Sequence, residues 1–151
     1  MIDSKNIVLS ALRSQGRADA LDLRSRAANM TGTEIINEEE KIPAFSTKKN
    51  YLEWQKGWPV ADEGQVWTLL QPYNAANHAE HKPSTLRAHW GLTHTKDPHK
   101  AKPWVDAFGE SGMYMKDECY LAENGKVYRS KQDNLVYDAD ALPSAWEEVI
   151  M

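Results

Sequence analysis

The chain has 151 residues, of which 41% are hydrophobic and 26% are charged. This balance is typical of a soluble globular protein with one ordinary domain or two very small ones. The formal net charge of −4 argues against a general nucleic-acid binder, because phosphate contacts require a basic face. Since Cys119 is the only cysteine, an internal disulfide framework is excluded.

The N-terminal residues show no targeting segment. Their apolar run covers only Ile7 to Leu9, whereas a membrane helix needs roughly 20 apolar residues and a signal peptide also needs a longer stretch. We therefore expect synthesis in the cytoplasm without a signal peptide, and no insertion into a membrane.

The first 44 residues differ from the rest because they contain no aromatic side chain. Their Ala, Leu, Arg and Ser content favours helix. Ser4 is the expected N-cap, Gly16 is expected to interrupt the helix, and one apolar face is predicted from Ile7, Val8, Ala11 and Leu12. This segment has too few large apolar residues to fold alone. It must pack on the rest of the chain or on another chain, and the apolar spacing follows no strict heptad.

A second, short helix is predicted after Thr31-Gly32-Thr33, which combines a helix stop with a new cap. Glu34 falls in the first turn of this helix, where a negative charge is favourable. Pro43 lies beyond its expected end, because proline cannot continue a helix.

From residue 45 onward, the pattern indicates short strands and loops. Strand–turn–strand units are predicted at residues 63–70 and 119–129. Asn124-Gly125 is a strong hairpin signal, because a type I′ turn requires a positive φ at both central residues. Cys119 falls in a predicted strand, where a buried and inert thiol is expected.

These two units form a weak internal repeat. Gly64-Gln65-Val66-Trp67 resembles Gly125-Lys126-Val127-Tyr128, and Gln71 corresponds to Gln132. In each unit, a Pro-Ser pair and then a tryptophan follow, as Pro83-Ser84 with Trp90 and as Pro143-Ser144 with Trp146. The shared order predicts two related modules. The repeated aromatic residues are expected in the core, namely Trp67, Trp90, Tyr128 and Trp146.

The segment from Met113 to Val149 resembles carbohydrate-binding modules of families 5 and 12, especially those in tail-associated proteins of bacteriophages and prophages. The matching features are a hairpin written NGKVYR, the Gln-Asp-Asn stretch at 132–134 and the ending Pro-Ser-Ala-Trp-Glu-Glu-Val. The resemblance implies a virion tail location, partnership with other tail proteins, binding to host-surface glycan and a homo-oligomer such as a trimer. Self-association is expected through residues 4–30.

Sugar binding requires flat aromatic faces together with amide and carboxylate groups that fix hydroxyls. The aromatic residues in Pro- or Asn-flanked loops are the expected exposed platforms: Trp58, Tyr73, Trp104 and Tyr137. The expected hydroxyl contacts come from Asn74, Gln132, Asp133 and Asn134, although such loop amides also stabilise turns.

Metal and catalytic sites are weakly supported. All five histidines fall between His78 and His99, and His78 and His81 are spaced closely enough to share a zinc ion. The zinc-protease order is absent, so this stretch is interpreted as a long, solvated and partly mobile loop without a metal. Asp138 and Asp140 could act as a glycosidase pair, but no nucleophile or nucleotide motif accompanies them. We expect a non-enzyme without cofactors.

The expected fold is α+β, with a helical attachment segment (1–44), a first β module with a long loop (45–108) and a second, carbohydrate-binding-like β module (109–151). Both modules are expected to be antiparallel. The expected function is host recognition by a phage tail protein that binds glycan through exposed aromatic residues. The alternative is a structural tail or baseplate component without affinity for sugar, which buried rings at the four platform positions would favour.

Overall fold

The computed structural model describes the backbone from Ser4 to Met151 and the side chains from residue 8 onward, except that of residue 9. Two helices come first, α1 (Ser4–Ala27) and α2 (Gly32–Asn37). The strands that follow are β1 (Pro59–Asp62), β2 (Gln65–Leu69), β3 (Trp90–Leu92), β4 (Lys102–Pro103), β5 (Cys119–Leu121), β6 (Val127–Ser130) and β7 (Trp146–Val149). This α+β fold confirms the predicted fold class.

The first sheet has the order β1-β2-β3 and is antiparallel throughout. Its β1–β2 turn consists of Glu63 and Gly64, whose φ angles are +52° and +76°. Positive φ at both central residues is the requirement of a type I′ turn, which matches the twist of the flanking strands.

The second sheet has the order β4-β5-β6-β7, in which β4 and β5 are parallel and the other pairs are antiparallel. The prediction of a purely antiparallel second module is therefore corrected. Lys102 and Pro103 of β4, which the sequence places in the first module, also belong to this sheet.

The hairpin at Asn124-Gly125 is confirmed, but the predicted type I′ turn is wrong. Ala122 N–H donates to the Lys126 carbonyl at 2.8 Å, so three residues form the loop. Of these, only Gly125 has a positive φ, at +83°. A type I turn followed by a left-handed glycine is the usual solution for a loop of this length.

The internal repeat is confirmed in the structure. Val66-Trp67 lies on β2 and Val127-Tyr128 on β6, each after a glycine with positive φ. Both Pro-Ser pairs begin a 3₁₀ turn. The strands that follow pair in the same register, since Trp90 lies opposite Leu69 and Trp146 lies opposite Ser130.

Each unit also contains an aromatic trio with the same geometry. The trio is Phe45, Tyr51 and Trp90 in the first unit, and Trp104, Tyr114 and Trp146 in the second. The first two rings are stacked, with interplanar angles of 8° and 9° in the respective units. Tryptophan meets the central tyrosine edge to face at centroid distances of 5.2 and 5.4 Å. Each such pair contributes about 0.5–1.5 kcal/mol beyond area burial.

Buried side chains form three clusters, and the first sheet contributes to two of them. One face of this sheet carries Val60, Trp67 and Leu69, while Val66 on the opposite face packs against the helical segment. The third cluster surrounds Trp146 in the second unit. The clusters separate because successive residues of a strand point to opposite faces.

The helical segment packs on the body only through its C-terminal part. Ala20, Leu23 and Ala27 are buried, whereas the described side chains from residue 8 to residue 18 are exposed. The prediction that Gly16 interrupts α1 is wrong: the helix continues through it, because a single glycine costs a helix only about 1 kcal/mol. The Ile7 side chain of the predicted apolar face lies outside the described residues. Ser4 is itself helical, so it is not the N-cap that the sequence predicts.

The predicted second helix is present with Glu34 in its first turn, but it begins at Gly32, inside the stretch that was expected to precede it. Thr31 Oγ1 accepts a hydrogen bond from Glu34 N–H, and the Glu34 carboxylate accepts one from Thr31 N–H. This reciprocal capping box satisfies two donors that a helix start would leave unpaired. The helix ends before Pro43, also as predicted. Arg26 donates two hydrogen bonds to Glu38 at 3.0 and 2.9 Å, which lowers the pKa of Glu38 to about 2.

Candidate functional site

A cleft of about 580 Å³ opens on one face of the second module. Two strands supply its floor through Tyr120 on β5 and Tyr128 on β6. Its walls come from the β4 end, the β5–β6 turn and the loop that precedes β7: Pro103, Trp104, Leu121, Ala122, Glu123, Asn124, Asp138 and Asp140. Aromatic surface and carboxylates thus face the same concavity.

Tyr120 joins the floor to the acidic wall. Its ring stacks on Tyr128 at a centroid distance of 5.7 Å. Its hydroxyl accepts a hydrogen bond from Ala139 N–H at 2.9 Å, which holds the loop between Asp138 and Asp140 against the sheet. Burial raises the pKa of Tyr120 above its ordinary value, so the phenol stays protonated at neutral pH.

The Trp104 ring has a fixed orientation. It stacks on Tyr114 at 4.9 Å and meets Tyr120 edge to face at 5.1 Å. Its indole Nε1–H donates to Asp106 Oδ1 at 2.7 Å. The ring is half-buried, so it offers part of its surface to the cleft without needing to reorganise when a ligand arrives.

The charge in the cleft is one-sided. Its lining includes Glu123, Asp138 and Asp140, and none of the described lining residues is Lys, Arg or His. Asp138 Oδ1 accepts a hydrogen bond from Ala141 N–H, which fixes that carboxylate. Asn124 Oδ1 accepts one from Lys126 N–H, so its amide group is positioned with a donor still available. The cleft can therefore accept hydrogen bonds and attract positive charge.

The four predicted aromatic platforms differ in exposure. The prediction for Tyr73 is wrong: the ring is buried, and its hydroxyl accepts a hydrogen bond from Trp90 Nε1–H at 2.7 Å. Trp58 is half-buried and packs on Trp54 at 5.5 Å. Tyr137 is 59% exposed but does not line the cleft. Only Trp104 is both accessible and part of the cleft wall.

The four predicted hydroxyl-binding residues lie outside the cleft lining. Asn74 Oδ1 accepts from Ala76 N–H and caps a 3₁₀ turn, and Asp133 Oδ1 accepts from Lys116 N–H. Gln132 and Asn134 are exposed, and Asn134 has a φ of +58°. The Asn74 and Asp133 side chains therefore stabilise loops, which is the commoner role of such residues.

Sequence reasoning missed most of the cleft. Tyr128 is expected in the core but is only partly buried, whereas Trp67, Trp90 and Trp146 are buried as predicted. The sequence analysis considers Asp138 and Asp140 only as a candidate catalytic pair, not as ligand-binding residues. One feature of the sequence does indicate an open face in the second unit. The connection between the last two strands covers residues 131–145 there and residues 70–89 in the first unit, and a shorter loop covers less of its sheet.

A second groove of about 650 Å³ lies where the helical segment meets both modules, and His94 and Glu118 line it. The His94 ring stacks on Tyr114 at 3.6 Å, and its Nε2 lies 2.8 Å from the Gly112 carbonyl. Burial lowers the pKa of His94 to about 4. Burial also raises the pKa of Glu118. The imidazole is thus neutral at pH 7 and serves as a packing group.

The His78–His99 stretch is not the continuous solvated loop predicted from the sequence. Residues 90–92 form β3, and His94 is buried. His78 lies 6.5 Å from His81 and 6.3 Å from His89 between ring centroids. In the part of the chain that the structure describes, no three His, Cys, Asp or Glu side chains are grouped to hold a metal ion.

Cys119 is buried in β5, as predicted, and burial raises the pKa of its thiol. A raised thiol pKa disfavours the reactive thiolate. Among the described helices, none is long and apolar enough to cross a bilayer. A scan against protein-family models gave no match for the chain, and a search of curated proteins gave none either.

Proposed function

We propose that the chain is a non-enzymatic host-recognition protein whose second module binds cell-surface glycan in the Trp104–Tyr128 cleft. The observation that carries this proposal is the cleft itself, in which aromatic rings and fixed polar groups converge on one concave surface. Pyranose rings present apolar C–H faces and peripheral hydroxyls. Trp104 and Tyr128 complement the apolar C–H faces, while Asn124 and Asp138 complement the hydroxyls.

The placement of the protein in a phage or prophage tail rests on the resemblance of residues 113–149 to modules of such proteins. In that setting, the helical segment attaches the chain to other tail proteins or to identical chains, and the modules face the host. The exposed first part of α1 supports this assignment, since Val8 and Leu12 are 57% and 64% exposed. Apolar side chains on a projecting helix favour a partner.

A purely structural tail or baseplate role is the second candidate. The burial of Tyr73 and the packing of Trp58 favour it, because one expected platform lies in the core and a second packs against it. The two candidates differ in one property, which is affinity for sugar.

A glycan array on the full chain, followed by adhesion to whole host cells, tests the proposal. We expect Tyr128→Ala to weaken binding, because it removes one of the two tyrosines that form the floor of the cleft. Tyr137→Ala is the matched control, since this tyrosine is exposed but lies outside the cleft. Loss of binding in Tyr137→Ala alone would move the site to the surface ring. Absence of binding by the parent chain to any glycan would favour the structural role.

A further inference from the structure

In the first module, the chain covers an aromatic face with its own cation. The Arg87 guanidinium lies over the Trp67 ring, with 5.2 Å between Cζ and the ring centroid. Arg87 Nη1 donates to the Asp106 carbonyl at 2.8 Å. Trp67 is only 1% exposed as a result of this covering and of the packing around it. A guanidinium over an indole is a favourable cation–π arrangement, and it is stronger when desolvated.

Tyr128 occupies the same position in the second module. Trp67 pairs with Val60 across the first hairpin, and Tyr128 pairs with Tyr120 across the second. Trp67 and Tyr128 each lie three positions after the glycine that the two units share. The next strand of each sheet, β3 or β7, then pairs in the same register. The register therefore makes the Tyr128 face the counterpart of the Trp67 face.

The covering cation is missing in the second module. Among the described residues, cation–π contacts involve Trp54, Trp58 and Trp67, and none involves Tyr128. The nearby Lys126 ammonium instead pairs with Glu148 at 3.1 Å. In place of an arginine, the second module presents an open cleft with three carboxylates, from Glu123, Asp138 and Asp140.

We propose that the cleft selects glycans that carry free amino groups, and that a ligand ammonium takes over Tyr128 the place that the Arg87 guanidinium takes over Trp67. This inference rests on the proposed function and specifies its ligand class. An amino sugar that is not acetylated bears a positive charge at neutral to mildly acidic pH. Its ring offers a C–H face to Trp104, while its ammonium satisfies the carboxylates that have no cation in the cleft lining.

The test is calorimetric titration of the full chain at pH 6 with three β-1,4-linked oligosaccharides of equal length. These are oligomers of glucosamine, of N-acetylglucosamine and of glucose. We expect the glucosamine oligomer to bind about tenfold more tightly than the other two, since each desolvated cation–π and charge contact supports a preference of this order. The preference should shrink as salt is added, because the attraction is electrostatic.

Asp140→Asn is the informative variant, because Asp140 is exposed and the substitution removes charge with little change in shape. We expect it to reduce the preference for glucosamine while binding to the N-acetylated oligomer stays unchanged. Glu53→Gln is the matched control, since Glu53 is an exposed acid in the first module, away from the cleft lining. It should leave the preference intact.

The outcomes separate this inference from the proposed function. Equal or tighter binding of the acetylated or neutral oligomers would overturn the amine selectivity while leaving glycan binding in place. Binding of none of the three, together with a silent glycan array, would overturn both. A lysine-rich peptide that binds through Asp140 while all three sugars fail would show that the cationic ligand is a protein.

Discussion

Trp90 and Trp146 begin equivalent strands of the two sheets, yet their indole nitrogens have different partners. Trp90 Nε1–H donates to the Tyr73 hydroxyl at 2.7 Å, whereas Trp146 Nε1–H donates to the Tyr137 backbone carbonyl at 2.8 Å. A side-chain acceptor draws the Tyr73 ring into the core. A backbone acceptor leaves the Tyr137 ring in solvent. Each buried indole N–H thus has a hydrogen-bond acceptor, but only the backbone acceptor leaves a tyrosine ring accessible to solvent.

Replacement of either tryptophan should be equally damaging. Trp90→Ala and Trp146→Ala each remove an almost fully buried ring that packs edge to face on the central tyrosine of its trio. We expect each to lower the free energy of unfolding by about 3–5 kcal/mol, measured by chemical denaturation. Tyr137→Ala is the control, because its carbonyl survives the substitution; its effect should stay within about 0.5 kcal/mol. If one tryptophan variant lost much less stability than the other, the two modules would not be equivalent.

The effect of Trp104→Ala differs from what the sequence alone suggests. If Trp104 were an exposed platform, its replacement would leave the free energy of unfolding unchanged. The structure instead stacks Trp104 on Tyr114 and places it edge to face with Trp146, 6.0 Å away. We therefore expect a stability loss of about 1–3 kcal/mol along with weaker glycan binding, because part of a packed aromatic trio disappears. Unfolding and binding should be measured on the same preparation.

Local chemistry explains what the sequence could predict. The capping box at Thr31 and Glu34 and the hairpin at Gly125 depend on neighbours within a few residues, so their signals are visible in the sequence. The repeat order also predicted that Trp90 and Trp146 lie in the core, and both are buried. These features needed no knowledge of distant contacts.

The features that were missed depend on tertiary contacts. Tyr73 sits beside loop residues in the sequence, but Trp90 buries it from 17 positions away. Lys102 and Pro103 carry no strand signal, and only pairing with β5 makes them a strand. The cleft requires Trp104, Tyr128 and Asp138 to meet from three separate segments, so no short motif encodes it. The type I′ assignment failed because loop length, rather than the Asn-Gly pair alone, selects the turn type.

Stability should fall in mild acid because of His94. Burial and the Arg87 charge lower its pKa from 6.5 to about 4. The unfolded chain therefore takes up this proton first as the pH falls. The stability that His94 contributes is fully present above pH 6.5 and is lost as the pH falls toward 4, to a total of about 3 kcal/mol.

The measurement is the free energy of unfolding at several pH values for the parent and for His94→Phe. The variant keeps an aromatic ring against Tyr114 but cannot titrate, so its curve should be flatter between pH 6.5 and 4. The acidic groups common to both chains, including Glu118, affect the two curves alike. Parallel curves would show that His94 is not held neutral by burial.

The β1–β2 turn contains a site for stabilisation. Glu63 has a φ of +52°, which costs a non-glycine residue free energy that asparagine tolerates better. We expect Glu63→Asn to raise the free energy of unfolding by about 0.5–1 kcal/mol. Glu63 also pairs with Lys82. Glu63→Gln is the control, since it weakens that pair without relieving the backbone; a gain in this variant would assign the effect to charge.

Self-association is expected through the exposed part of α1. The described side chains between residues 8 and 18 make no contact that buries them, and exposed apolar side chains such as Val8 and Leu12 favour a partner. We expect the full chain to sediment as an oligomer, with a trimer as the order that the tail-protein resemblance implies. The Val8→Glu, Leu12→Glu double variant should sediment as a monomer, because two charges would enter the apolar interface at a high desolvation cost. Ser10→Glu, on the same exposed helix, should remain an oligomer. A parent chain that is monomeric, or a double variant that assembles normally, would place the attachment surface elsewhere.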